Sequence, residues 1–325
     1  MNNRQRFHQT MNFSSSDRIL YFEEGIREGV LKQWYKQGLP KNQSLFDIFP
    51  TDRFMEIQLN IDPLPEIIKW PTSFKELDLL GERWDPINSA RFPSNWQNIV
   101  NDTRNNDKVI FLRVHRGFFQ SIGIFDWDRF YEVMYMLLEN PEIVIQMMSI
   151  YGDFLAKFFD KLLNELKVDA AIFSDPICSN EGPLISPEMY EKFALMSYRP
   201  MLDVLDKHAI RTKIIRTYAN ARILLPTLIK NGFNCLWACE ANNKAMDYRE
   251  LRREFGHELS LIGGIDLDAL RKGKEAIKLE VNGKVPQLIS EGGYIPLADG
   301  RIREEILYEN YAYYRTLLEK VINRV

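Results

Sequence analysis

The sequence predicts an α/β protein of the (β/α)8 class, a distorted TIM barrel, and two observations in its last third carry this prediction. Short apolar runs end in polar residues: 213–215 leads into Arg216, and 235–239 stops at Glu240. Such runs are typical of strands that are buried on both faces. Helical stretches such as 248–255 lie between the runs, and repeated strand–helix units close most readily into a parallel barrel.

The N-terminal part, residues 1–95, is irregular and contains many Pro, Trp and Asp residues. It is expected to form loops with short helices such as 25–37. Residues 19–22 are expected to form the first strand, and a hairpin is expected near 56–64. We therefore expect one barrel domain, 1–325, on which the irregular N-terminal part packs.

Strands and long helices alternate from the middle of the chain onwards. Residues 109–114 are mostly apolar and predict a strand, while the apolar periodicity of 126–138 predicts a helix. A proline at its start favours a long amphipathic helix over 142–166. The next strand is predicted at 169–173 and ends at Asp175.

Composition and charge exclude several classes of function. The net charge of -3 argues against binding to nucleic acid or anionic membranes, which need a basic surface. No apolar run approaches the roughly 20 residues that span a bilayer. The N-terminus lacks the apolar core of a signal peptide, so a cytoplasmic protein is expected. Three cysteines do not suggest a disulfide framework.

Several segments, in their order and spacing, resemble one known family. They are 4–7, 16–19, 182–188, 263–266, 272–277, 292–296 and 309–311. They are similar to the uroporphyrinogen decarboxylase superfamily, which also contains methyltransferases that act on coenzyme M and corrinoid proteins. The resemblance implies a distorted eight-stranded barrel with a deep cleft at the carboxyl ends of its strands. It also suggests a homodimer.

The chain departs from the family pattern in three places. It lacks the arginine-rich N-terminal segment that holds substrate carboxylates in the decarboxylase proper. The methyltransferases carry a His-x-Cys zinc pair where this chain has Arg216-Thr217-Tyr218, and neither Arg nor Tyr is a usual zinc ligand. Many relatives have a histidine where this chain has Gly300. We therefore expect no metal and no cofactor, and a porphyrin precursor is only one of the substrates to consider.

Arg216 and Tyr218 end one predicted strand and, being two residues apart, point to the same side. An arginine at the barrel mouth offers a planar fork for a substrate carboxylate, and a tyrosine offers a hydroxyl that acts as a hydrogen-bond donor or acid, so we expect Tyr218 to be catalytic and to orient the substrate. The alternative is that Arg216 forms a structural ion pair with Glu240 or Asp266.

Four carboxylates follow predicted strands and could hold a divalent metal, hydrogen-bond NH groups of a substrate, or act as acid and base. We expect Asp175 and Asp299 to be catalytic, and Glu240 and Asp266 to bind substrate. The alternatives are that Asp266 caps the helix after it and that Asp299 only orders its turn.

Further candidates lie nearer the N-terminus. Arg116 is the expected anion-binding residue, with a solvated loop arginine as the alternative. Arg113 and His115 are expected to share one face of their strand. Glu23 either lines the cleft or pairs with Arg27.

Cys235 and Cys239 lie four residues apart within one predicted strand. An even offset places them on the same face, where we expect them to be small buried residues rather than zinc ligands.

Three functional hypotheses follow. The resemblance implies a carbon–carbon lyase of the decarboxylase type, acting on a small anionic substrate. A methyltransferase of the corrinoid or coenzyme M type that works without the usual zinc site is the first alternative. A relative that binds a ligand without catalysis is the second.

Overall fold

Seven parallel strands form one curved sheet in a computed structural model that describes residues 1–241 and 244–323. Each strand pairs with the next one along the chain. The fold is a distorted (β/α)8 barrel, as the sequence predicts. The strands are β1 (Phe54–Ile57), β2 (Val109–His115), β3 (Ala170–Ser174), β4 (Thr212–Ala219), β5 (Cys235–Ala241), β6 (Ser260–Gly263) and β7 (Tyr294–Ile295).

The eighth position of the barrel is filled by extended chain rather than by a ladder strand. The segment 19–26 lies between the residues before β1 and those after β7. The Asp52 N–H donates to the Tyr21 carbonyl at 2.7 Å, and Ile26 forms an isolated parallel bridge with Ile302. The expected first strand at 19–22 is therefore extended but joins the sheet only irregularly.

The prediction of a hairpin near 56–64 is wrong. Instead, Phe54–Ile57 is a single strand that pairs in parallel with β2. The chain then leaves the sheet as a loop that contains Pro63 and Pro65, and prolines lack the N–H needed to continue a ladder.

Helices surround the sheet. The predicted helix at 248–255 has those bounds, and the one at 126–138 is shifted by a single residue. The α-helices are α1 (Asn3–Met11), α2 (Glu28–Lys36), α3 (Leu45–Ile48), α4 (Leu77–Arg83), α5 (Trp96–Asn105), α6 (Phe118–Ser121), α7 (Trp127–Glu139), α8 (Pro141–Leu162), α9 (Pro187–Tyr190), α10 (Met196–Lys207), α11 (Leu225–Lys230), α12 (Tyr248–Phe255), α13 (Leu267–Lys272), α14 (Lys274–Glu291) and α15 (Tyr308–Ile322). A π-helical turn, Glu191–Leu195, joins α9 to α10, and short 3-10 helices occupy Phe74–Glu76, Ser89–Arg91, Arg222–Leu224 and Gly256–Glu258.

The barrel interior is a separate apolar core. Alternate residues of the strands point inward, among them Phe111, Ile172 and Trp237, which are fully buried. Helix α1 closes the end at which the strands begin, since its Phe7 and Met11 belong to the same cluster. Helix α1 does not cover the opposite end, where the strands finish, and that end is the candidate position for a functional site. Within the described residues, no helix has both the length and the apolar character that crossing a membrane requires.

Candidate functional site

The inward side chains at the carboxyl ends of the strands are polar, in contrast to the apolar core beneath them. We call this set the inner polar layer. Register places Arg216 beside the inward Trp237 and Tyr218 beside Cys239. The layer consists of Glu24, Glu56, Arg113, Arg216, Tyr218 and Cys239.

One carboxylate joins two arginines in this layer. Arg216 donates to the two oxygens of Glu56 at 2.9 and 3.2 Å, and Arg113 approaches Glu56 Oε1 at 2.8 Å. Arg216 is buried and stacks over the Trp237 ring at 4.1 Å. Burial by itself would raise the pKa of Glu56, but the adjacent arginine charges and hydrogen bonds lower it below its usual value. The pair is therefore ionised in the folded protein.

The arginines keep donors that Glu56 does not use. The Nε–H groups of Arg113 and Arg216 and the indole N–H of Trp237 are buried without a hydrogen-bond partner in the described part of the chain. Buried polar groups are normally paired. Three unpaired donors, two in the layer and one directly beside it on Trp237, therefore favour a ligand that carries acceptor oxygens.

Glu24 is the second carboxylate of the layer and differs from Glu56. Among the described residues it forms no ion pair, and the Cys239 Sγ lies 3.9 Å from each of its oxygens. Burial raises the pKa of Glu24, and the charge of Arg216 only partly offsets this. Burial and the charge of Glu24 also raise the pKa of the Cys239 thiol. Glu24 thus holds a proton at higher pH than an ordinary carboxyl group and can donate it.

Two predicted site residues, Arg216 and Tyr218, lie in the inner polar layer. Tyr218 is half-buried, and burial raises the pKa of its hydroxyl. The partner of Arg216 is Glu56, not Glu240 or Asp266 as the alternative proposed. Glu240 stands at the exposed rim, where it pairs with Arg27 at 2.8 Å and with Arg303 at 3.1 Å.

Asp175 faces the surrounding helices and not the barrel interior. Its Oδ2 accepts hydrogen bonds from the Tyr190 and Tyr198 hydroxyls at 2.7 Å each, and its Oδ1 accepts from the Phe118 N–H at 3.0 Å. Ser174, one residue earlier, is the inward residue. Burial raises the pKa of Asp175 although these three donors oppose the shift. The structure places this predicted catalytic residue outside the layer.

Asp299 is buried below the rim and bonds to backbone. Its carboxylate oxygens accept from the Ala241 and Leu267 N–H groups at 3.1 Å each. Burial raises the pKa of Asp299 to about 7. These bonds match the alternative in which Asp299 orders its turn.

The two remaining predicted acids also have structural partners. Asp266 caps α13 by accepting from the Asp268 N–H at 2.7 Å, which was the stated alternative. Glu23 accepts from the Tyr314 hydroxyl at 2.7 Å and from the Ala298 N–H at 3.3 Å. It does not pair with Arg27.

Arg116 also lies outside the inner polar layer. It pairs with Asp62 and lies against the Phe125 ring in a surface groove. The expectation that Arg113 and His115 share a face is wrong, because the ladder between β2 and β3 slips at these residues. The bulge turns His115 away from the barrel interior and towards the surrounding helices. Burial there lowers the pKa of His115 to about 3.

Four members of the layer do not follow from the sequence: Glu24, Glu56, Arg113 and Cys239. The sequence favours Glu23 over its neighbour Glu24 and Arg116 over Arg113, predicts a hairpin at Glu56, and gives Cys239 only a buried structural role. Once the inward residues are known, alternation accounts for Glu24 and Glu56, since Phe22 and Phe54 are inward and lie two residues before them.

The zinc site of the related methyltransferases does not fit here. Its position holds Arg216, whose guanidinium is bonded to Glu56, and Tyr218. Across residues 1–241 and 244–323, no group of three or more His, Cys, Asp or Glu side chains is arranged to hold a metal ion.

Comparison with known proteins adds to this geometry. The family model described as uroporphyrinogen decarboxylase (URO-D) matches residues 127–296, slightly more than half of the chain. No curated protein matches the sequence. A methyltransferase from Methanosarcina mazei superposes with a TM-score of 0.65 at 11% identity, covering 98% of this chain and 99% of that one. This likeness shows the fold alone.

Two further solved structures are more distant. A Listeria monocytogenes protein described as a vitamin-B12-independent methionine synthase has a TM-score of 0.45 at 11% identity, covering 95% of this chain and 99% of its own. A uronate isomerase from Bacillus halodurans has a TM-score of 0.39 at 10% identity, with coverage of 78% and 60%. Neither carries an argument about this chain.

Proposed function

This chain belongs to the uroporphyrinogen decarboxylase family, and we propose that it is a carbon–carbon lyase of the decarboxylase type. Its substrate is a small molecule with at least one carboxylate, bound where the inner polar layer faces the barrel mouth. The observation that carries this proposal is the set of unpaired buried donors on Arg113, Arg216 and Trp237.

Glu56 holds the two arginines in place for the substrate. A guanidinium presents five N–H donors, and Glu56 occupies only two nitrogens of Arg216 and one of Arg113. The remaining N–H groups can donate to a substrate carboxylate without breaking the Glu56 pair. Because the arginines are fixed before binding, little conformational freedom is lost when the ligand arrives.

Decarboxylation needs charge stabilisation and a proton. The bond between the reacting carbon and its carboxylate breaks, CO2 leaves, and the electron pair stays on the carbon. Donors around the substrate stabilise the developing negative charge, and an acid then protonates the carbon. We assign the acid to Glu24, whose raised pKa keeps a proton available, and water restores that proton afterwards. Tyr218 orients the substrate.

Asp175 and Asp299, the acids expected from the sequence, are bonded to hydroxyl and backbone groups elsewhere. A proton donor must reach the reacting atom: Asp175 faces the surrounding helices, and both Asp299 oxygens already accept from backbone N–H groups. We therefore place the chemistry on Glu24 and leave these two acids structural roles.

Methyl transfer without zinc is the second candidate. One observation favours it: the Cys239 thiol lies beside Glu24 within the same layer. As the thiol sulfur attacks the methyl group of a donor, an ionised Glu24 can take the thiol proton, and the donor leaves with the electron pair of the broken bond. The structural likeness to the Methanosarcina mazei methyltransferase is compatible with this candidate as well.

The test begins with a thermal-shift screen of polycarboxylates, tetrapyrroles and methyl donors, because binding to the folded state raises the melting temperature. Stabilising ligands are then incubated with the protein and their products analysed by mass spectrometry. We expect a carboxylate ligand to lose CO2. Arg216→Met should abolish both the stabilisation and the product. Arg222→Met is the matched control, since Arg222 pairs with Glu250 on the surface, and it should retain both.

Other outcomes separate the candidates. Loss of a methyl group from a donor, or one tightly bound zinc per chain by metal analysis, would replace the lyase with a methyltransferase. Binding that Arg216→Met abolishes, with no product from any ligand in the screen, would favour a ligand-binding relative without catalysis.

A further inference from the structure

We infer that the outer face of α7, with the groove beside its first turn, is a docking surface for a partner protein that presents a basic amphipathic helix. We call this face the aromatic stripe. It consists of Trp127, Tyr131, Tyr135 and Leu138.

The aromatic stripe is exposed although its residues are large and apolar. The relative exposures are 68% for Trp127, 58% for Tyr131, 67% for Tyr135 and 74% for Leu138. Their spacing places them along one side of the helix. The opposite side of α7 packs on the core through Val133 and other buried residues. A helix with apolar residues on both sides is usually buried on both sides, so the outer side calls for a partner.

A groove continues the stripe at the N-terminal end of α7. It has a volume of about 980 Å³ and is lined by apolar side chains that include Ile67, Trp70 and Phe125. Ile68, beside them, is fully exposed. A groove of this size can receive an anchoring side chain of a partner, the arrangement found at the centre of tight interfaces.

Charge selects the kind of partner. Helix α7, which the structure describes in full, exposes Asp128, Glu132 and Glu139 and no basic side chain, because its Arg129 is buried and pairs with Glu132 at 2.6 Å. The groove is lined by five acidic residues, Glu66 and Asp126 among them, and by three basic ones, so acids outnumber bases there as well. A complementary surface therefore carries Lys or Arg beside its apolar residues. A second copy of this chain would bring like charges together along the same helix, which disfavours self-association through it.

The size of the surface suits a helix. Aromatic side chains bury about 150–250 Å² each. The stripe and Phe125 together can therefore bury on the order of 600 Å², and the groove brings this towards the roughly 800 Å² per partner of a standard interface. A partner helix of matching length lies along the thirteen residues of α7.

The inference stands apart from the proposed lyase activity, because no residue of the inner polar layer belongs to the stripe or the groove. Failure of one leaves the other intact.

The probe is a synthetic helical peptide with Leu and Trp on one face and Lys on the other, labelled for fluorescence anisotropy. Its twin carries Glu in place of every Lys. We expect the basic peptide to bind at least tenfold more tightly than its twin, and more weakly as salt is raised. The double variant Tyr131→Ala/Tyr135→Ala should weaken binding at least tenfold. Leu279→Ala, which removes an equally exposed apolar side chain on α14, should change nothing.

Several results would overturn the inference. These are equal affinity for the two peptides, binding that survives the double variant, and no detectable binding. Sedimentation of the wild type tests whether a second copy of the chain occupies the surface. If the wild type is a dimer and the Tyr131→Ala/Tyr135→Ala variant is a monomer, the surface belongs to a second copy. Circular dichroism of the double variant should match the wild type, since both tyrosines are exposed.

Discussion

The inner and outer faces of the barrel wall use their acidic residues differently. On the inner face, Glu56 holds two arginines and Glu24 has no ion pair within the described chain. On the outer face, the oxygens of Asp175 and Glu23 accept from tyrosine hydroxyls and backbone N–H groups. Outer acids therefore tie helices and loops to the strands, whereas the inner ones contact arginine and thiol groups inside the barrel.

The difference between outer and inner acids can arise from a shift of one position along the chain. Glu23 and Glu24 are adjacent, and successive side chains of extended chain point to opposite sides. One of them contacts Tyr314 of the last helix, and the other contacts Cys239 inside the barrel. Residue type alone cannot separate a structural acid from a functional one here, because both are glutamates. The side of the barrel wall to which each side chain points separates them.

The largest effect should come from the outer face. Asp175→Ala removes the acceptor of the Tyr190 and Tyr198 hydroxyls and of one backbone N–H, and leaves all three buried. We expect the free energy of unfolding to fall by about 4 kcal/mol, because unsatisfied buried donors are costly. Urea denaturation measures it. A loss below about 1 kcal/mol would remove the structural role assigned to Asp175.

A smaller effect is expected inside the layer. Arg216→Met leaves Glu56 with Arg113 as its ion-pair partner and with a hydrogen bond from Gln58, and we expect a loss of about 3 kcal/mol, since the buried carboxylate loses the guanidinium that bonds both its oxygens. Adding Glu56→Leu should recover part of that loss, because the buried carboxylate is gone and the unpaired Arg113 side chain is 29% exposed to water. Neither variant should bind a carboxylate ligand. A double variant that is stable and still binds would contradict the assignment of the layer.

The pH dependence of stability tests Asp299. Burial raises its pKa from 3.8 to about 7, so the folded protein keeps this proton over a range in which the unfolded chain has lost it. The contribution of this group is therefore greatest below about pH 4 and is lost as pH rises through about 7. Other groups titrate too, so the measurement is the difference between wild type and Asp299→Asn.

We expect the wild type to lose up to about 4 kcal/mol relative to Asp299→Asn between pH 4 and pH 8, since a tenfold difference in proton affinity corresponds to about 1.4 kcal/mol. Denaturation at a series of pH values measures it. A difference that does not change with pH would mean that Asp299 is ionised throughout, like Glu56.

The sequence predicts the fold class because each strand from β2 to β6 is an apolar run with a polar end. The site is harder to predict. Arg216 and Tyr218 follow from alternation within one regular strand, and both lie in the inner polar layer. Alternation fails at Arg113 and His115, since a bulge resets it, and bulges leave no clear signal in a single sequence.

Long-range pairing accounts for the rest. The Glu56 partner of Arg216 lies 160 residues away in the chain, and no local pattern joins them. The irregular segment around Glu24 offers too short an apolar run to fix which of two adjacent glutamates points inward.

The adjacent pair Glu23 and Glu24 therefore provides the most direct measurement. Each is replaced by Ala, and the free energy of unfolding and the turnover of a carboxylate ligand from the screen are measured for both. We predict that Glu23→Ala loses about 2 kcal/mol of stability, because the Tyr314 hydroxyl is left unpaired, and still turns the ligand over. Glu24→Ala should change stability by less than about 1 kcal/mol and abolish turnover. The reverse pattern, with turnover lost only in Glu23→Ala, would contradict the account.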